Sequence, residues 1–205
     1  MKLHDSVGPN PQIVRTFAAE KGIALARVPV DIMGGENRRL PFLALNPLGQ
    51  LPALELADGT VLTEVVAICE YLEEQVPEPR LLGASPEERA VTRMWVRRFD
   101  LGVLEPFTLG FRATAGRAFF LPRLPLLSEA AGAEVLQQAA GQLALFDRLL
   151  AGRTYVCGAR FSLADITLGC FLRFADSVGQ PIASGLAWVP GWLERLEARG
   201  TFAAA

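Results

Sequence analysis

Asn46-Pro47-Leu48-Gly49-Gln50-Leu51-Pro52, followed twelve residues on by Glu64, carries more information than any other part of this chain. An X–Pro bond is the one peptide link in which cis is cheap, at about 0.5–1 kcal/mol, so Leu51-Pro52 in a tight loop is a candidate cis link. A cis bond there would turn the N–H and C=O of Leu51 outward, where an extended peptide ligand can pair with them as one more strand. An acidic residue at the start of the next helix, Glu64, would then catch the ligand's ammonium. The pattern reads as a site for a small thiol peptide.

Outward from that loop, the chain alternates strands and helices. Residues 2–5 form a short strand. Asn10-Pro11 opens a helix, with Asn a favoured N-cap and Pro a favoured first residue. Ile13, Val14, Phe17 and Ala18 give that helix an apolar face, and Gly22 ends it. A second strand runs from Ala24 to Val30 and pairs parallel with the first through a right-handed crossover. A short helix near Arg38–Leu45 follows. Ala53–Leu56 and Thr60–Leu62 flank Asp58-Gly59, a hairpin signal. Val65 to Gln75 is helical, with Val65, Ile68, Cys69 and Leu72 on one side. The order βαβαββα is that of a thioredoxin-like domain over 1–76.

Val76-Pro77-Glu78-Pro79 breaks the pattern, and 77–85 reads as a linker. Ser85-Pro86-Glu87-Glu88 then starts an all-helical part over 86–205. Helices are expected at 86–109, 128–151, 162–178 and 190–198; Arg117–Leu127 has no clear assignment, and Phe202–Ala205 reads as a frayed tail. Ser162-Leu163-Ala164-Asp165, with Phe161 before it and Ile166 after it, is a capping box with a hydrophobic staple, a folding device.

With 205 residues, 51% apolar and 20% charged, the chain can bury a real core. A net charge of −2 gives no basic footprint for nucleic acid. No apolar run reaches membrane-spanning length, and Met1–Asp5 lacks the apolar core of a signal peptide. Cys69, Cys157 and Cys170 have neither CxxC nor metal spacing, which fits buried thiols in the cytoplasm and no metal site.

Several residues could carry chemistry. Asn10 stands where the first strand hands over to the first helix, whose positive end favours an anion. A thiol of pKa about 8.5 needs roughly 2.7 kcal/mol of preference for the thiolate to drop two units. A helix end with one or two donors can supply that; a plain cap is the other reading of Asn10. Ser6 is a second hydroxyl donor in the same loop, or a serine satisfying local backbone. His4 reads as a structural histidine. Glu64 reads as a ligand for an ammonium or as a carboxylate complementing its helix dipole. Arg89, Arg93 and Arg97 recur every four residues, as a solvated stripe or a basic wall. Phe107, Phe111, Phe119 and Phe120 are core aromatics or an apolar pocket for a second substrate.

Together, Asn46–Pro52, Leu62–Leu72, the proline-containing linker before a helical half, and Phe161–Ile166 resemble the glutathione S-transferase superfamily over nearly the whole chain. The resemblance implies a cis bond at Leu51–Pro52, Leu51 on the cysteinyl backbone of glutathione, and Glu64 with Val65 on its γ-glutamyl end. It puts Gln50 where a cation often holds the glycine carboxylate, and Asp100 within reach of a partner subunit's γ-glutamyl ammonium. A homodimer is implied, with Trp95 and the arginine stripe on an interface helix. Two departures stand out. Val65 replaces a usual Ser or Thr, and Gly8-Pro9-Asn10 fills the activating loop without hydroxyl or thiol. Pro9-Asn10 is similar to the Thr-Pro-Asn loop of bacterial nu-class members, with Gly8 in the Thr place.

The expected activity is therefore conjugation of glutathione, as co-substrate with no cofactor, to a small hydrophobic electrophile near Phe107 and Phe111. The alternatives are a glutathione-dependent disulfide reductase or peroxidase, and a non-catalytic binding protein using the same fold.

Overall fold

The computed structural model describes residues 1–204, with side chains through Phe202. The chain divides into two compact units, Met1–Ala84 together with Arg199 onward, and Ser85–Ala198.

In the first unit the elements are β1 (Lys2–Asp5), α1 (Pro9–Glu20), β2 (Ala26–Pro29), a 3-10 turn (Glu36–Arg38), α2 (Phe42–Leu45), β3 (Ala53–Glu55), β4 (Val61–Leu62) and α3 (Val65–Gln75). The sheet order is β2-β1-β3-β4. β1 and β2 are parallel, as a strand–helix–strand crossover requires; β3 is antiparallel to β1 and to β4. Leu3 stands opposite Leu54, and both are fully buried with Ile13, Val14 and Phe17 of α1 and Ile68, Cys69 and Leu72 of α3. Each such side chain contributes about 1.5–3 kcal/mol. The hairpin turns at Gly59, with φ 86°, and the Asp58 carboxylate accepts from Thr60 N–H at 2.9 Å.

The proline-rich connection after α3 is anchored by a buried cation. Lys21 Nζ lies 2.6 Å from Glu73 and donates to the carbonyls of Val76 (2.7 Å) and Pro79 (2.8 Å). Glu73 in turn accepts from Leu82 N–H at 2.9 Å. The expected frayed tail is corrected: Thr201–Ala204 is a helical turn, α10, and Phe202 is fully buried. Arg199 makes a two-pronged ion pair with Glu20 of α1, at 2.9 and 2.6 Å, and Thr201 Oγ1 donates to the same carboxylate. Burial of one aromatic ring and one bidentate pair outweighs the fraying tendency of a chain end. Ala205 lies outside the described residues.

The second unit is helical: α4 (Pro86–Phe99), a π turn (Asp100–Leu104), α5 (Glu105–Ala113), α6 (Arg117–Phe120), α7 (Glu129–Leu150), α8 (Leu163–Ser177) and α9 (Val189–Glu197). The helix expected to stop near 109 instead widens and runs on to Ala113. Pro106 lacks an N–H, and its ring crowds the carbonyl four residues back, at Gly102; the π turn absorbs that conflict. The unassigned piece contains α6. α5 and α7 meet at Gly110 and Gly132, where a Cβ on Gly110 would come 2.7 Å from the Gly132 carbonyl. α8 is the central helix, buried from Leu163 through Leu172. Among the described residues no helix is long and apolar enough to cross a membrane, and no three His, Cys, Asp or Glu side chains gather as a metal site.

Candidate functional site

Strand register brings the first unit's candidate residues to one end of the sheet. His4 pairs with Ala53, and Leu54 with Leu62. The end of β1, the start of β3 and the end of β4 therefore lie together. Ser6 follows the first, Leu51-Pro52 precede the second, and Glu64-Val65 follow the third, with the start of α1 beside them in sequence.

The Leu51–Pro52 bond is cis. Two buried asparagines fasten the loop ahead of it. Asn46 donates to the Gln50 carbonyl at 2.8 Å and accepts from Leu48 N–H at 3.2 Å; Asn37 donates to the Gly49 carbonyl at 2.7 Å. Gly49 has φ 63° and sits so close that an added Cβ would lie 2.7 Å from the Asn37 carbonyl. With Gly49 and Gln50 held, the next backbone groups, those of Leu51, pair with no other backbone group among the described residues. Pro52 is buried beneath, Leu51 is half-buried and Gln50 is exposed. Arg38 donates to the Leu48 carbonyl at 3.3 Å on the same loop.

Glu64 has φ 66° and ψ 121°, the one positive φ outside glycine among the described residues. Such a conformation costs about 1–3 kcal/mol and survives where the surroundings impose it. Glu64 is exposed at the N-cap of α3, and no side chain caps that helix. The first amide to bond is Ile68, to the Glu64 carbonyl at 3.0 Å. The N–H groups of Val65, Val66 and Ala67 are thus left for an anion.

At α1 the expected cap is corrected. Gly8, with φ 117°, is the N-cap; Pro9 is the first helical residue and Asn10 the second. Pro9 and Pro11 bracket Asn10 and either can begin a helix, so the local signal had two registers. The conformation of Gly8 also explains the lack of a hydroxyl there, because an L side chain at that φ is strained. Pro9 and Pro11 carry no N–H, and Gln12 N–H is bonded to Gly8 at 3.4 Å. Asn10 N–H remains as the open donor of the first turn, and its exposed side-chain amide stands beside it with no capping role.

Sequence reading missed the brace behind this corner. Asp5 is buried at the end of β1 between two arginines, Arg15 of α1 at 2.5 Å and Arg27 of β2 at 2.7 Å. Arg15 also donates to the Ser6 carbonyl at 3.2 Å, tying α1 to the loop that leads into it. Ser6 is half-buried. His4 Nε2 lies 3.0 Å from Glu55, a structural pair.

In the helical unit, Asp100 is half-buried in the π turn. Phe107 is buried and Phe111 half-exposed, their rings parallel at 6.1 Å. Phe174, on α8, meets Phe111 edge-on at 5.6 Å; it lies outside the aromatic run at 107–120 that drew attention in the sequence.

A carboxyl raised by its surroundings stands at the start of α8, in the box read from sequence. Burial pushes Asp165 up to about 6, against hydrogen bonds from Val156 N–H, Trp192 Nε1, Ser162 Oγ and Ser162 N–H at 2.8–3.0 Å. All four donors are protein groups, so it is a structural acceptor.

Comparison with known proteins identifies the family. Residues 7–75 match the glutathione S-transferase N-terminal domain and residues 129–198 the C-terminal domain. Glutathione S-transferase 2 of Saccharomyces cerevisiae is 34% identical over 204 residues, 97% of this chain and 86% of that one. The crystal structure of a glutathione S-transferase domain-containing protein from Marinobacter aquaeolei VT8 superposes with a TM-score of 0.91 at 37% identity, covering 98% of this chain and 100% of that one. The structure of Gtt2 from Saccharomyces cerevisiae gives 0.92 at 33% identity, covering 100% and 99%. The chain belongs to the glutathione S-transferase family.

Proposed function

We propose that this protein binds glutathione at one end of its N-terminal sheet and conjugates it, as co-substrate, to a small electrophile. The observation that carries the reading is the set of unfilled backbone donors converging there: Leu51, the first turn of α3, and Asn10. The cysteinyl backbone pairs with Leu51. The γ-glutamyl carboxylate takes the free amides of Val65, Val66 and Ala67, and Glu64 takes the ammonium. Gln50 is neutral, so Arg38, fixed to the same loop, supplies the positive charge for the glycine carboxylate. Asp100 of a partner subunit adds to the γ-glutamyl end in a homodimer.

The sulfur then meets the Asn10 N–H and side-chain amide at the positive end of α1. Two charge-assisted hydrogen bonds at about 1.5–3 kcal/mol each cover the roughly 2.7 kcal/mol needed to lower the thiol by two units. Ser6 is the further donor in reach of the same loop. The thiolate attacks the electrophilic carbon, the C–S bond forms, and the leaving group departs with its electron pair. Val65 brings no hydroxyl, so the γ-glutamyl end is held by backbone alone and affinity is modest.

A second reading, reduction of disulfides or peroxides, is favoured by one fact: the lone cysteine among the N-terminal unit's described residues, Cys69, is fully buried, so any sulfur chemistry falls to glutathione itself. Calorimetric titration with glutathione, then assays with 1-chloro-2,4-dinitrobenzene, hydroxyethyl disulfide and cumene hydroperoxide, separates the readings. Binding with aryl chloride turnover supports conjugation. Turnover of the disulfide or peroxide alone supports the second. Binding without turnover of any leaves a non-catalytic glutathione protein.

A further inference from the structure

The loop from β1 into α1 aims the Asn10 donors, yet it has little of its own to hold it. Val7 is exposed, Gly8 brings no side chain and has φ 117°, and no side chain caps α1. Among the described residues, the backbone of Ser6, Val7 and Gly8 is held at two carbonyls. That of Gly8 accepts from Gln12 N–H at 3.4 Å, a long bond, and that of Ser6 accepts from Arg15 at 3.2 Å. Glycine leaves the chain many paths at this point, so the hold on Ser6 selects the path taken.

Arg15 is itself a fixed point. One terminal nitrogen, Nη1, donates both to the Ser6 carbonyl and to Asp5 Oδ1, the latter at 2.5 Å. Asp5 is buried at the end of β1, and its other oxygen, Oδ2, takes Nε and Nη2 of Arg27, each at 2.7 Å. Arg15 Nε is buried without a partner, so placing this guanidinium strands a donor, and what the side chain achieves runs through Nη1. Arg15 follows Asn10 by five residues, about 7.5 Å along the helix axis and about 140° around it. Its side chain leans back toward the helix start. Arg15 is therefore placed to reach the loop rather than the sulfur.

We propose that Arg15, fixed by Asp5, is a positioning residue for the thiolate. By pinning the Ser6 carbonyl it sets the course of Val7, Gly8 and Pro9, and so the direction of the Asn10 N–H and side-chain amide. The role rests on the reading that glutathione sulfur meets Asn10. Asp5 balances the charge of Arg15, which works by position. The other contacts of glutathione, at Leu51 and the first turn of α3, do not depend on it.

The test compares wild type, R15Q and R15K in the full chain by three readouts. They are backbone order parameters without ligand, the pKa of bound glutathione thiol from thiolate absorbance, and the affinity for S-methylglutathione, which has no thiol. In R15Q the order parameters of Ser6–Gly8 and Asn10 should fall from about 0.85 to below about 0.6, while those of α3 hold. The bound thiol pKa should rise by at least about one unit, a tenfold loss of ionisation, with S-methylglutathione affinity within about twofold of wild type. R15K keeps the charge but is one bond shorter; it should keep Asp5, give up Ser6 and show the same rise. Should R15Q not fold, R15K decides by the same readouts. A lowered wild-type thiol pKa that the variants retain overturns the proposal, as does an unchanged loop. S-methylglutathione affinity falling as far as the thiol ionisation also overturns it, because Arg15 would then only hold the unit together. An ordinary thiol pKa in the wild type overturns the reading of the Asn10 corner itself, and this proposal with it.

Discussion

α8 and α3 begin in opposite ways. At the start of α8 one buried carboxylate, Asp165, gathers four protein donors, and the first turn from Leu163 to Ile166 is itself buried. At the start of α3 no side chain caps the helix, three amides point outward, and the residue in the cap position is held at φ 66°. Both ends carry an acidic residue, but one carboxylate is turned in to seal its helix and the other is exposed beside an open one. A sealed end stabilises the fold; an open end keeps its donors for a ligand at some cost in stability. α1 belongs with α3: two prolines remove its early donors and one amide plus the Asn10 side chain remain.

The sharpest way to break this contrast is at the sealed end. Asp165→Ala strands buried donors that each cost about 1–3 kcal/mol. Urea unfolding should show a loss of at least about 3 kcal/mol; a loss under about 1 kcal/mol would mean that α8 is no more sealed than α3. The same carboxyl gives a pH signature. Its folded pKa of about 6 lies above the ordinary value of 3.8, so folding takes up a proton between them. Its contribution to stability is present in acid and is lost as pH rises from about 4 to about 6. Asp165→Asn should remove that slope from stability measured across the window.

The open ends should behave the other way. Asn10→Ala is expected to lower turnover with glutathione at least tenfold, about 1.4 kcal/mol, while changing unfolding free energy by no more than about 0.5 kcal/mol, since the side chain caps nothing. Glu64→Gly relieves the positive φ and should raise stability by about 1 kcal/mol, with glutathione affinity falling about tenfold by calorimetry. A stabilised variant that binds glutathione as well as wild type would separate the strain from the site. The smallest effect is a gain: Val65→Thr adds a hydroxyl to the open turn and should tighten glutathione binding about threefold to tenfold, near the value of one added hydrogen bond.

What could be read from sequence was whatever is encoded locally. Asn46–Pro52, the Asp58-Gly59 hairpin and the Ser162–Asp165 box each specify their backbone within a few residues, and each stands as read. The start of α1 was ambiguous because Pro9 and Pro11 give equivalent signals, and the register turned on the φ of Gly8. The rest depended on partners distant in the chain: Asn37 on Gly49, Arg15 on Asp5, Lys21 on Glu73, Phe202 against α1, Phe174 against Phe111. No short window holds both halves of such a pair. The π turn before Pro106 was missed for another reason: the helical period on either side continues almost unbroken, so only the missing amide marks it.

The most direct test of the central claim is the pKa of the glutathione thiol bound to wild type and to Asn10→Ala, followed by thiolate absorbance in the ultraviolet. The account predicts a bound pKa at least one unit below the free value of about 8.5, returning most of the way in the variant. An unshifted thiol in the wild type, or the same lowered value in both proteins, would contradict it.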